Sequence, residues 1–130
     1  MQSVQTTSKT KGELEGEICQ AIIRFEKEWM GRGPVDTRAY IIEDMVLVRL
    51  KRVLTIAELK LAEDATSANS RSLIKQLRQE LIERGRPLLE AVVRDILQVE
   101  VRSMHTDIST KTGERIIVFS LEQAPVLPDR

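Results

Sequence analysis

Twice along this chain the spacing of apolar residues switches period, and in the same order each time. Leu14, Ile18, Ile22, Phe25 and Trp29 recur every three to four residues, with Glu15, Glu17, Arg24, Lys27 and Glu28 elsewhere around the wheel, which predicts an amphipathic helix. From Val35 the period drops to two, with Thr37, Ala39 and Ile41 on one side and Arg38, Tyr40 and Ile42 on the other. A tight turn near Glu43-Asp44 then leads into Val46 to Leu50. After a second helical stretch, Val99 to Thr110 alternates again. Lys111-Thr112-Gly113-Glu114 supplies a glycine-bearing turn, and Arg115 to Leu121 is a β-branched and aromatic run. A helix-hairpin-helices-hairpin order predicts an α+β two-layer domain, in which a four-stranded, largely antiparallel sheet made of two hairpins is packed by helices in the order α-ββ-αα-ββ. Val35 and Arg38 recur in type and spacing as Val99 and Arg102, as an ancient duplication of an α-β-β unit would leave them.

The element boundaries follow from local chemistry. Thr10 and Glu13 have capping-box spacing, and the first helix runs into Gly31-Arg32-Gly33-Pro34, where the proline cannot continue the hydrogen-bond ladder. Thr55 and Glu58 repeat the capping box and open a short helix through about Asp64, followed by a polar break from Thr66 to Ser70. Leu73, Leu77, Leu81 and Ile82 mark the next helix. Gly85-Arg86-Pro87 is expected to bend or interrupt it before Leu88, Leu89, Val92, Val93 and Ile96 resume the pattern. A chain of 130 residues holds one core, so residues 10–122 are read as a single domain between flexible tails at 1–9 and 123–130.

Charge and cysteine usage narrow the function classes. Twenty Lys+Arg balance twenty Asp+Glu, so no overall field gathers nucleic acid or acidic lipid. The single Cys19 excludes an intrachain disulfide framework and fits a reducing cytoplasm, and its place near the apolar stripe reads as a buried small residue. No uncharged run reaches ten residues, too short for a spanning helix, so the expected location is cytoplasmic. One tension stands out. Ile116 to Phe119 and Val46 to Val48 are apolar on both parities, whereas a sheet covered on one face should alternate. Both faces therefore want cover. The expectation is a homodimer, against the alternative that the short helix near Glu58 supplies it.

No cofactor, metal centre or catalytic group is expected. His105, the only histidine, shares a strand face with Asp107, but two ligands do not make a metal site; Glu114 or Asp44 would have to complete it. A hydrogen bond from His105 to Asp107 or to backbone near the turn is the plainer reading. Gly31 to Pro34 follows a helix, whereas phosphate loops precede one, so it reads as a helix stop. Arg71, Lys75 and Arg78 form one helical stripe, and Arg49, Lys51 and Arg52 cluster after the first hairpin. With few aromatics to stack bases, Phe25 and Trp29 being read as core, both sets read as solvated faces and nucleic-acid binding as unlikely. Serine or cysteine nucleophile, zincin and dinucleotide motifs are missing.

Two long blocks carry a family resemblance. Glu28-Trp29-Met30-Gly31-Arg32-Gly33-Pro34 followed by Tyr40 to Leu50, and His105 to Thr110 continuing through Thr112-Gly113-Glu114-Arg115 into Ile117-Val118-Phe119, resemble the small bacterial MpsC family over roughly residues 12–122. The resemblance implies association with a sodium-linked membrane-potential-generating system whose membrane partners look like an inorganic-carbon uptake pair. It implies a peripheral, non-enzymatic accessory or regulatory protein that touches a membrane transport complex. The ligand or partner surface expected on this reading comprises Arg32, Tyr40, His105, Asp107, Thr110 and Glu114. The alternatives are a small-anion or metal sensor built on His105, Asp107 and Arg32, and a weak nucleic-acid binder.

Overall fold

The computed structural model describes residues 9–31, 33–63 and 68–128. Capping chemistry opens the first helix, α1 (Lys11–Trp29), where the Thr10 hydroxyl accepts from the Glu13 N–H and the Glu13 carboxylate accepts from the Thr10 N–H. The same reciprocal pair, Thr55 with Glu58, precedes α2 (Ile56–Glu63). The remaining elements are β1 (Asp36–Ile42), β2 (Met45–Lys51), α3 (Ala68–Leu97), β3 (Val101–Ile108) and β4 (Arg115–Leu121). Ala68 to Ser70 thus begin α3, while residues 64–67 of the expected polar break lie outside the described residues.

The four strands form one sheet in the order β1-β2-β4-β3, and every neighbouring pair is antiparallel. The chain is therefore laid out as two α-β-β units, α1-β1-β2 and α3-β3-β4, whose inner strands β2 and β4 pair at the centre. Ile42 pairs with Met45, so Glu43 and Asp44 alone make the first turn, with Glu43 in the left-handed region at φ 56°. The Asp44 carbonyl accepts from the Leu121 N–H and ties this turn to β4.

The expected interruption at Gly85-Arg86-Pro87 does not occur, and α3 runs unbroken through Pro87 for 30 residues. Gly85 serves a close contact. A Cβ built there would lie 2.5 Å from the Phe25 ring, so α1 and α3 approach each other at a point that admits no larger residue. Phe25 is buried and stacks on Trp29 with ring centroids 5.8 Å apart. Trp29 corrects the expectation of a core residue: it is 43% exposed, and its Nε1–H donates to the Leu81 carbonyl at 2.9 Å. An indole with one wet edge can satisfy its N–H without a fully buried partner.

One face of the sheet is closed. Ala39, Ile41, Val46, Val48, Leu50, Met104, Ile117, Phe119 and Leu121 are buried together with Leu14, Ile18 and Ile22 of α1 and Ile82, Leu89 and Val93 of α3. The helices also guard the sheet's edges. Glu15 accepts from the Ile41 N–H of edge strand β1 at 2.8 Å, and the Cys19 thiol sits 3.5 Å from the Thr37 carbonyl. On the opposite edge Arg86 donates to the Met104 carbonyl of β3 at 3.0 Å. One N–H and one carbonyl of β1 and one carbonyl of β3, groups that could otherwise template another strand, are thereby engaged. After β4, residues 123–128 form neither helix nor strand, although Pro125 is buried and Leu127 packs against the core. Among the described residues no helix is long and apolar enough to cross a membrane.

Candidate functional site

Among the described residues no helix lies on the second face of the sheet. α2 packs against α3, so the alternative in which the short helix covers this face does not hold. Strand register lines the face with transverse rows of side chains. Tyr40, Leu47, Val118 and His105 form the central row, flanked on one side by Ile42, Met45, Ser120 and Ser103 and on the other by Arg38, Arg49, Ile116 and Asp107. Tyr40 and Ile42 are 41% and 42% exposed, and the apolar residues of β2 and β4 on this face are half-buried. Near its end Arg49 is paired with Glu114 at 2.5 Å, Asp107 with Lys75 at 3.2 Å and Arg38 with Asp36 at 3.6 Å, while Lys51 makes no ion pair among the described residues. Such solvated pairs contribute little to stability, and they leave an apolar band across the middle of the face.

The residues expected to form a site are spread over this face without converging. Tyr40 and His105 share a row but stand on opposite edge strands, about 14 Å apart across three strand spacings. His105 Nε2 lies 3.2 Å from the Ser103 hydroxyl, so its side-chain partner is Ser103 and not Asp107. Asp107 accepts from the Ile108 N–H at 2.8 Å, and this bond, with Lys75 beside it, holds its carboxyl below the ordinary aspartate value. Thr110 is half-buried in the β3–β4 turn, Glu114 is engaged by Arg49, and Arg32 lies outside the described residues. Among the described residues no three His, Cys, Asp or Glu side chains gather as a metal would require.

A set of charges that sequence reasoning missed lies on the closed side of the sheet. Glu26 of α1, Arg78 of α3 and Arg115 of β4 are all buried. Arg78, expected on a solvated basic stripe, is 3% exposed and forks onto Glu58 through Nε at 3.1 Å and Nη2 at 2.5 Å, while Nη2 also reaches the Val53 carbonyl. That pairing removes it from any phosphate-contacting surface. Burial works to raise the Glu58 carboxyl, but hydrogen bonds from Arg78 and Thr55 outweigh it and hold the group below its ordinary value. Arg115 donates from Nη1 to the Thr106 hydroxyl at 3.0 Å; among the described residues its Nε and Nη2 have no hydrogen-bond partner, nor has either carboxylate oxygen of Glu26. Burial pushes the Glu26 carboxyl up, against the pull of Arg115 and Arg78, and pulls the Arg115 guanidinium down, against the pull of Glu26. These groups sit at apolar positions of their own elements, Glu26 four residues after Ile22, Arg78 midway between Ile74 and Ile82, and Arg115 in phase with Ile117 and Phe119. Phase was the available signal. Cys19 is half-buried, and desolvation raises its thiol, as befits a packing residue.

The helical layer adds a wedge of about 900 Å³ between α1 and α3, floored by Phe25, Leu88, Leu89 and Val92, with Glu17, Arg24 and Asp95 among the charged residues around it. The floor is apolar, and at its rim Lys9 pairs with Glu17.

Fold and surface together define a two-layer α+β protein with guarded sheet edges and one bare sheet face. The chain belongs to the MpsC family, described as a Na+-translocating membrane potential-generating system, whose model matches residues 10–123 and takes in every helix and strand. It is similar to the uncharacterized protein YbcI of Bacillus subtilis (strain 168), with 42% identity over 113 residues that cover 87% of this chain and 89% of that protein. No solved structure matches it.

Proposed function

We propose that this chain is a non-enzymatic, dimeric accessory subunit of a Na+-linked membrane-potential-generating system, acting from the cytoplasmic side and serving an inorganic-carbon uptake pair in the membrane. Family membership supports the link to a membrane-potential system. The observation that carries the docking role is the central row Tyr40-Leu47-Val118, apolar and bare on the face opposite the helices. Strands buried on both faces are apolar on both parities, and here the protein covers only one. Since α1 and α3 occupy the edges, a second copy packs face to face and does not extend the sheet. The dimer is tested by light-scattering mass at micromolar concentration. The parent protein is expected at twice the chain mass, and Leu47→Glu or Val118→Glu at the mass of one chain with unchanged circular dichroism. A parent mass of one chain refutes the dimer. Co-purification of membrane proteins from native cells tests the accessory role, and their absence from the captured fraction counts against it.

A further inference from the structure

At the end of the sheet where β2 passes into α2 and the β3–β4 turn folds against it, Arg49, Lys51, Arg52, Lys111 and Thr112 line a cleft of about 690 Å³ in which Glu114 is the one carboxylate. The geometry points to this cleft as a binding site for a phosphate group, carried either on a free small molecule or on a lipid headgroup.

Positive charge is concentrated here although the chain as a whole is balanced. Overall the protein has equal numbers of acidic and basic residues, yet four cations meet one anion here. Glu114 is spent on Arg49, which grips it through Nε at 2.9 Å and Nη2 at 2.5 Å. Lys51, Arg52 and Lys111 make no ion pair among the described residues; Asp36 stands opposite Lys51 in the β1–β2 register, so Arg52 and Lys111 are the two cations that face the recess with no carboxylate of their own. Groups of this kind attract a multiply charged oxyanion.

The backbone that presents them is built rigidly. The Ser109 hydroxyl accepts from the N–H groups of both Lys111 and Thr112 at 3.2 Å, and Ser109 and Glu114 close the turn through a 2.8 Å backbone bond. The Gly113 carbonyl accepts from the Val53 N–H at 2.9 Å, locking the turn to the strand exit. Gly113 itself lies at φ 75°, with the Arg52 Cα 3.5 Å from where a Cβ would be. Arg52 also lies in the left-handed region, at φ 59°, a conformation that glycine adopts freely and arginine only against strain. An arginine held there between Lys51, whose carbonyl accepts from Val35, and the buried Val53 and Leu54 presents its cation from a fixed point.

The lining also limits what carries the phosphate. No aromatic side chain faces the cleft, and Leu59 is its one apolar wall, so no platform exists for stacked bases. Arg52, Lys111 and Thr112 lie beyond the strand ends, so the site does not depend on the face-to-face contact proposed above.

The test uses the full chain with two probes, inorganic pyrophosphate followed by titration calorimetry, and flotation with vesicles of phosphatidylcholine with or without phosphatidic acid. Saturable binding of pyrophosphate without flotation identifies a free small molecule as the source, and flotation only with phosphatidic acid identifies the headgroup; either supports the site. Arg52→Gly with Lys111→Ala is expected to weaken binding about tenfold through loss of charge-assisted bonds. Arg52→Gly also keeps the backbone conformation, and Lys111→Ala alone, in an exposed turn, serves should the pair fail to fold. Lys75→Ala, on α3, is expected to bind as the parent does. Failure of both probes to bind, undiminished binding in the variants, or tighter binding of a single-stranded oligonucleotide than of pyrophosphate would overturn the proposal.

Discussion

The two faces of this sheet are made from the same strands, one residue out of phase, and they have opposite fates. Ile117 and Phe119 are sealed beneath the helices, whereas Ile116 and Val118 of the same strand stand on the side without helices. Charges reverse the usual expectation. The closed face holds Arg115, with Glu26 and Arg78 from the helices above it, while the bare face keeps its charges at one end, in water, with Arg49 and Arg38 paired. Apolar content therefore does not reveal which side of a strand is the core. The helices decide, and they claim the parity that faces α1 and α3 even where that parity includes an arginine.

The sharpest way to break this contrast is a pair of adjacent truncations in β4. Phe119→Ala is expected to cost about 3–5 kcal/mol in urea unfolding, from lost burial and a residual cavity, whereas Val118→Ala costs about 1 kcal/mol or less. Similar losses would show that the faces are energetically alike. A Val118→Ala loss that grows with protein concentration would instead report the second copy on the bare face. The charges give the next largest effect. Arg78→Ala strands the Glu58 carboxylate and the Val53 carbonyl, and is expected to cost about 3 kcal/mol, the lower end for breaking a buried pair. Arg49→Ala, on the bare face, is expected to leave the unfolding midpoint unchanged. The smallest effect is a matter of slope. The Glu26 carboxyl is raised in the folded state, so folded protein holds that proton where the unfolded chain has released it, and stability from this group falls as pH rises above about 4.3. Glu26→Gln removes that term, so the stability of the variant relative to the parent is expected to climb with pH from that point and then level off. A gap that stays constant with pH would show that Glu26 titrates as it does in the unfolded chain.

Much of the fold was legible because local chemistry and long-range packing agree. The Thr10–Glu13 and Thr55–Glu58 boxes, the Glu43-Asp44 turn and the limits of β4 are all set by neighbours within a few residues. The helix is not interrupted at Pro87 for a tertiary reason, since contact along α3 with α1 and the sheet outweighs one missing N–H. The surface was harder to read. Tyr40, His105 and Asp107 do share a face, as alternation requires, but alternation carries no information about distance across strands, and the strand order separates Tyr40 from His105. Arg78 was misplaced because its basic neighbours Arg71 and Lys75 suggested a solvated stripe, although its phase with Ile74 and Ile82 put it inside.

The strand order also has a kinetic consequence. Each hairpin joins near neighbours and can zip on the timescale of microseconds. The seam that makes one sheet of them, Val46 against Phe119 and Val48 against Ile117, closes a loop that contains α2 and all of α3. Bringing those ends together costs entropy before any contact rewards it, so pairing β2 with β4 is expected to be the slow step in acquiring this structure. Until that step is complete, β2 and β4 each present an unpaired edge, and crowded nascent chains are then at greatest risk of exchanging halves with one another.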